Sequence, residues 1–125
     1  MIFDTDILIW VQRGNKKAAI LIEKEEDRFL SVQSYMELLQ GARNKTHHKY
    51  VKDFLHDFEF SILPFTENIG HRALIYVEEH SLSSNMRSGD AIIAATAVEN
   101  NMILASSNIK HFRVINELQL KPFKP

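Results

Sequence analysis

Short apolar segments alternate with longer amphipathic ones along most of this chain, and that alternation restricts its fold more than any other feature. Residues 1–4, 28–32, 60–63 and 102–105 have the length and apolar character of buried strands, with Pro64 closing the third. A last strand is expected near 118–121. A short helix is expected over 7–11, and Asn15 is placed to cap another over Lys16–Lys24. Residues 34–42 bring Tyr35, Leu38, Leu39 and Ala42 to one side of a helix. Thr46 is the expected cap of the next, where Tyr50, Val51, Phe54, Leu55 and Phe58 recur at helical spacing. Thr66 opens a helix with Ile69, Ala73, Tyr76 and Val77 as its apolar stripe, residues 81–88 read as a polar loop, and 90–100 read as a helix rich in Ala and Ile. A turn around 110–112 and a fraying end over 121–125 complete the reading. Strands separated by helices pair in parallel, so the expected fold is α/β: a three-layer α/β/α sandwich with a mostly parallel central sheet. All 125 residues are expected to form one domain.

Composition narrows the function. Acidic residues number 16 and basic residues 15, which excludes a generally polybasic nucleic-acid binder but not a local basic patch. No cysteine is present, which removes thiol catalysis, thiolate zinc sites, iron–sulfur clusters and disulfides. No apolar run approaches the ~20 residues of a membrane span and no basic leader is visible, so a cytoplasmic protein without a membrane partner is expected.

In open parallel sheets, sites form beyond the carboxyl ends of the strands. Asp4 and Asp6 follow the first strand directly, although a helix cap or solvated turn explains the same residues. Ser34-Tyr35-Met36-Glu37 fits a capping box, a structural explanation for Glu37, but that helix follows the second strand and starts at the same edge. Ser88-Gly89-Asp90 opens a helix, where an acid complements the dipole by ~0.3–1 kcal/mol. A helix packed on a parallel sheet runs against the strands, which places this N-terminus at the carboxyl edge too. Ser106, Ser107 and Asn108 follow the fourth strand.

Carboxylates gathered in one cleft repel one another by about 4 kcal/mol per pair at ~4 Å and an effective dielectric of ~20. Such a cluster takes up protons or holds a cation. With oxygen donors and neither cysteine nor a chelating histidine pair, Mg²⁺ or Mn²⁺ suits it best. The chemistry that follows is phosphodiester or phosphoryl transfer, with the metal activating a water and stabilising charge on the phosphate.

Four segments carry a resemblance: Phe3-Asp4-Thr5-Asp6-Ile7-Leu8-Ile9-Trp10, then Ser34-Tyr35-Met36-Glu37-Leu38-Leu39-Gln40-Gly41, then Gly89-Asp90-Ala91-Ile92-Ile93-Ala94-Ala95-Thr96-Ala97, and Leu104-Ala105-Ser106-Ser107-Asn108-Ile109-Lys110-His111-Phe112. Together, and in this order, they resemble PIN-domain ribonucleases, specifically the VapC-type toxins of toxin–antitoxin pairs. The resemblance implies that Asp4, Glu37 and Asp90 bind the metal and that Asn108 completes the catalytic set. Many family members have Asp at the position of Asn108, so a second metal site is weakened here. Ser106 stands where the family has a hydroxyl near the site, and Asp6 where it often has Asn; an extra carboxylate at Asp6 would partly offset the acid missing at Asn108. The resemblance further implies a Mg²⁺/Mn²⁺-dependent endoribonuclease cutting a structured RNA such as tRNA to a 5′-phosphate and a 3′-hydroxyl. It also implies a cognate antitoxin that docks on the early helices, and a homodimer or higher assembly.

Other residues carry weaker signals. His47 and His48 are adjacent and cannot chelate from one helix face; His56, His71 and His80 have no paired ligand, and His111 reads as structural or close to substrate. Arg43, Lys45, Lys49 and Lys52 form the most basic stretch, either a solvated helix face or a set of RNA phosphate contacts. Trp10, Phe54 and Phe58 read as core or interface. Two alternatives stand beside the nuclease. One is a catalytically degenerate PIN module that only binds RNA or protein. The other is a haloacid-dehalogenase-like phosphatase with Asp4 as nucleophile, which lacks the second late acid because Ala91-Ile92-Ile93-Ala94-Ala95 follows Asp90.

Overall fold

The computed structural model describes residues 1–125. In chain order the elements are β1 (Ile2–Phe3), α1 (Thr5–Gln12), α2 (Lys16–Lys24), β2 (Phe29–Ser31), α3 (Val32–Gln40), α4 (Lys45–Asp57), β3 (Ser61–Leu63), α5 (Glu67–Ser84), α6 (Ser88–Glu99), β4 (Leu104–Ser106), α7 (Ile109–Phe112) and β5 (Leu120–Pro122). The five strands form one sheet in the order β3-β2-β1-β4-β5, and every pairing is parallel. The expected α/β sandwich is therefore present, with a sheet that is wholly rather than mostly parallel.

Strand alternation divides the core. Ile2 and Leu104 face a cluster with Ile69, Ala73, Tyr76, Ile93 and Phe112, so α5, α6 and α7 cover one side of the sheet. Phe3, Leu30 and Ala105 face the other side, with Ile7, Leu8, Ile22, Leu38, Val51 and Leu55 from α1 to α4. Helix α6 is buried on nearly all sides, and its small residues Ala91, Ala94, Ala95 and Ala97 let it lie close to α5 and the sheet. No helix is long and apolar enough to cross a membrane.

Several local expectations need correction. Helix α3 begins at Val32, because Ser31 caps it by accepting from the Ser34 amide; Ser34 is therefore an interior residue and Glu37 lies in the second turn, outside any capping box. Asn44, not Thr46, caps α4. Helix α5 runs through the first half of the expected loop to Ser84, and Asn85 ends it in the left-handed region at φ 54°. The tail does not fray: Lys121 pairs with Ala105 in β5, the Phe123 amide donates to the Ser106 carbonyl at 2.8 Å, and the Phe123 ring is buried. The cap expected at Asn15 is made, accepting from the Ala18 amide, and Thr66, expected to open a helix, caps α5 by accepting from the Ile69 amide.

Candidate active site

The chain leaves β1 to build β2 and β3 on one side, then returns to add β4 and β5 on the other. The switch point lies between β1 and β4, where an open parallel sheet forms its crevice. Asp4 follows β1 at this point, its amide donating to the Ala105 carbonyl at 2.9 Å, and Ser106 ends β4 beside it. Asp4 is only 5% exposed. Its carboxyl caps α1, accepting from the Thr5 amide at 2.8 Å, and takes a second hydrogen bond from the Ser106 hydroxyl at 2.7 Å. Its pKa is raised to about 8, by burial first and by the charges of Asp6 and Asp90, against the opposing Ser106 and Thr5 hydrogen bonds.

Asp6 lies in the first turn of α1. Its Oδ2 accepts from the Ser107 amide at 3.0 Å and from the Ser107 hydroxyl, while its Oδ1 is buried with no partner. Burial raises its pKa against these hydrogen bonds. Glu37 reaches the same place from α3. The Thr5 hydroxyl donates to its Oε1 at 2.5 Å and stands 2.9 Å from the buried Ser34 hydroxyl, which in turn lies 3.2 Å from Ser31. A Cβ built on Gly89 would stand 2.9 Å from Glu37 Oε2, so the carboxylate rests against the first turn of α6. Asp90, one residue on, meets His111 through Oδ2 at 3.1 Å. Asn108 precedes α7; its amide N–H donates to the Ser106 hydroxyl at 2.9 Å and its side chain meets His111 at 3.0 Å.

The structure thus brings Asp4, Asp6, Glu37, Asp90, Ser106 and Asn108 to one edge, with hydrogen bonds running from Glu37 through Thr5, Asp4, Ser106, Asn108 and His111 to Asp90, and with Asp6 held separately by Ser107. Thr5, Gln33, Ser34, Gly89, Ser107 and His111 also belong to it. Sequence reasoning missed the roles of Thr5, Ser34 and Gly89, whose only signal is adjacency to an acid or a helix start.

The four basic candidates are not brought together in the same way. Arg43 lines a concavity with Arg13, Gln12, His47 and Tyr50 at the far end of α1. Eight residues of helix separate that end from Asp4, about 12 Å at 1.5 Å per residue. Lys45 and Lys52 are exposed on α4, and Lys49 is engaged by Asp53 at 2.7 Å.

Three ligating groups do not converge at coordination distance from one point as the side chains stand. The donor set nonetheless fits a hard cation. Its donors are oxygens, Asp6 Oδ1 is buried without a hydrogen-bond partner, and the Asp4 pKa is raised by burial and by the charges of Asp6 and Asp90, a charge burden that a cation would relieve.

A parallel five-stranded sheet with an acidic crevice at its switch point defines the class of this protein. Residues 1–118 match the sequence model described as the PIN domain, and the chain belongs to that family. Its likeness runs to the VapC type: over 126 aligned residues, covering 98% of this chain and 91% of the relative, it is 32% identical to Ribonuclease VapC10 of Mycobacterium tuberculosis H37Rv. A solved toxin–antitoxin complex from Klebsiella pneumoniae superposes with TM-score 0.82 at 26% identity, covering 99% of this chain and 98% of that one. VapBC2 from Rickettsia felis, bound to a DNA fragment from its promoter, shares the fold at TM-score 0.79 and 21% identity, over 99% and 100% of the two chains. Family membership removes the haloacid-dehalogenase alternative.

Proposed function

We propose that this protein is a Mg²⁺- or Mn²⁺-dependent endoribonuclease that acts as a toxin on cellular RNA, tRNA among the candidates, and is neutralised by a cognate antitoxin. The observation that carries the reading is the burial of Asp4 at the switch point within electrostatic reach of Asp6 and Asp90. The relative named Ribonuclease VapC10 supports the activity, and the solved toxin–antitoxin neighbour supports the partner.

Asp4, Glu37 and Asp90 would hold the ion, with Asp6 adding the charge that Asn108 lacks. When bound, the ion supplies Lewis acidity toward a phosphodiester and lowers the pKa of a water. The protein's own groups do the rest. The Thr5 hydroxyl fixes Glu37, the Ser106 hydroxyl fixes Asp4, and Ser107 holds Asp6 by Oδ2. The Asn108 side chain, held against His111, would add a neutral polar group beside the acids to orient substrate.

Asp90→Asn should abolish Mn²⁺-dependent RNA cleavage in vitro and growth arrest on induction, with the circular-dichroism spectrum and subunit mass unchanged. Full activity in that variant would overturn the mechanism. Wild-type protein that binds RNA without cutting it would support the binding-module alternative instead.

A further inference from the structure

His111 stands inside the acidic cluster without a part in the reading above. Its Nδ1 lies 3.1 Å from Asp90 Oδ2 and 3.0 Å from the Asn108 amide nitrogen. One ring nitrogen donates or accepts; it cannot donate to Asp90 and accept from Asn108 together. Donation to the carboxylate is charge-assisted and the stronger choice. Asn108 then turns its amide oxygen to the same N–H, a flip that leaves the heavy atoms where they are.

Asp90 Oδ2 also sits 3.5 Å from the Arg87 amide, so this oxygen is engaged on the protein side and Oδ1 is the one left for a cation. The imidazole is held in turn by α7, whose Phe112 is fully buried against α6. We infer that His111 is a positioning residue: its Nδ1–H fixes the carboxylate of Asp90 for single-oxygen binding of the metal and ties α6 to the turn that carries Asn108. An acid at 108 would put two carboxylates on one N–H; the asparagine avoids that conflict. The inference rests on the proposed metal centre. Partners of this outer kind change metal affinity or activity by about 10- to 100-fold when removed.

The test uses the full chain and Mn²⁺ alone, titrated calorimetrically without RNA, on His111→Leu, His111→Asn and Asp90→Asn. Asparagine keeps an N–H near the position of Nδ1; leucine keeps bulk without it. His111→Leu should weaken Mn²⁺ binding about 10- to 100-fold, and His111→Asn no more than about threefold. In RNA cleavage, kcat should fall in the leucine variant with KM unchanged, and the asparagine variant should recover it. Unfolding temperatures without Mn²⁺ establish that each variant is folded. Wild-type affinity in His111→Leu, or equal losses in both His111 variants, would overturn the positioning role. If Asp90→Asn loses Mn²⁺ while His111→Leu keeps it, this inference alone fails. A wild-type protein that binds no Mn²⁺ overturns it together with the metal centre.

Discussion

Asp4 is the residue at which fold and chemistry compete most directly. It caps α1 and seals the end of β1, yet it is buried among other carboxyl groups. Its folded-state pKa is raised from 3.8 to about 8, so the folded chain keeps a proton that the unfolded chain loses across that range. Stability from this group is therefore fully present below the unfolded value and is lost as pH rises through the folded one. Asp6 shifts in the same direction. In metal-free protein, the unfolding temperature of Asp4→Asn minus that of wild type should rise by several degrees between pH 5 and pH 8.5. Mn²⁺ should raise the wild-type unfolding temperature more at pH 8.5 than at pH 5, because binding displaces the proton. Differential scanning fluorimetry at several pH values checks both, and a pH-independent difference would count against a buried charge at Asp4. At this scale the sequence was informative because Asp4, Asp6, Asp90 and Ser106 each border a strand or helix start. Thr5 and Ser34 were not legible, because a hydroxyl inside a helix shows its use only when its partner is placed.

The elements explain where local reading succeeds and fails. Asn15 and Thr66 are single cap candidates ahead of apolar stripes, and both cap. Ser31 and Ser34 compete for one helix start, and the strand resolves the competition: β2 ends at Ser31 with no intervening loop, so the first serine caps and the second is drawn into the interior. The tail reads as a fraying terminus, but an edge strand tolerates Pro122 and the buried Phe123 holds it down. The meeting of α3 and α6 is the packing contact on which the site depends most. Gly89 leaves the space that the Glu37 carboxylate occupies, with Gln33 Nε2 3.2 Å from where a Cβ would sit. Gly89→Ala should change stability by no more than about 1 kcal/mol, since the displaced atoms are side-chain ends and alanine favours a helix. RNA cleavage should fall roughly 10- to 100-fold as Glu37 is pushed aside. Urea denaturation and initial rates on the same preparations separate the two effects; undiminished cleavage would remove Glu37 from the proposed centre.

At the scale of the molecule, strand order could not be read from the chain, because short strands such as Ile2–Phe3 and Leu104–Ser106 carry no register signal of their own. What could be read was that intervening helices force parallel pairing, and parallel pairing places every strand's carboxyl end on one edge. That is why the acids could be assigned to one edge before the strand order was known. Charge follows a different logic. The near balance of 16 acidic and 15 basic residues hides a separation between acids at the switch point and cations at the far end of α1. A phosphodiester at the acidic edge leaves the adjacent backbone phosphates within reach of a cationic site about 12 Å away, the length of α1. Arg43 and Arg13 share that concavity with no acidic residue in its lining, whereas Lys49 shares its surface with Asp53 and Asp57. The two groups of cations should therefore differ in RNA binding. For single-stranded RNA, each lost phosphate contact flattens the slope of log affinity against log salt by about 0.7. Arg13→Glu/Arg43→Glu should flatten it by about 1.4 and Lys49→Glu/Lys52→Glu by less than half as much, measured by fluorescence anisotropy on cleavage-inactive Asp90→Asn protein. Equal changes would extend the RNA path along α4, and an unchanged slope in the arginine variant would rule out phosphate contact at the end of α1.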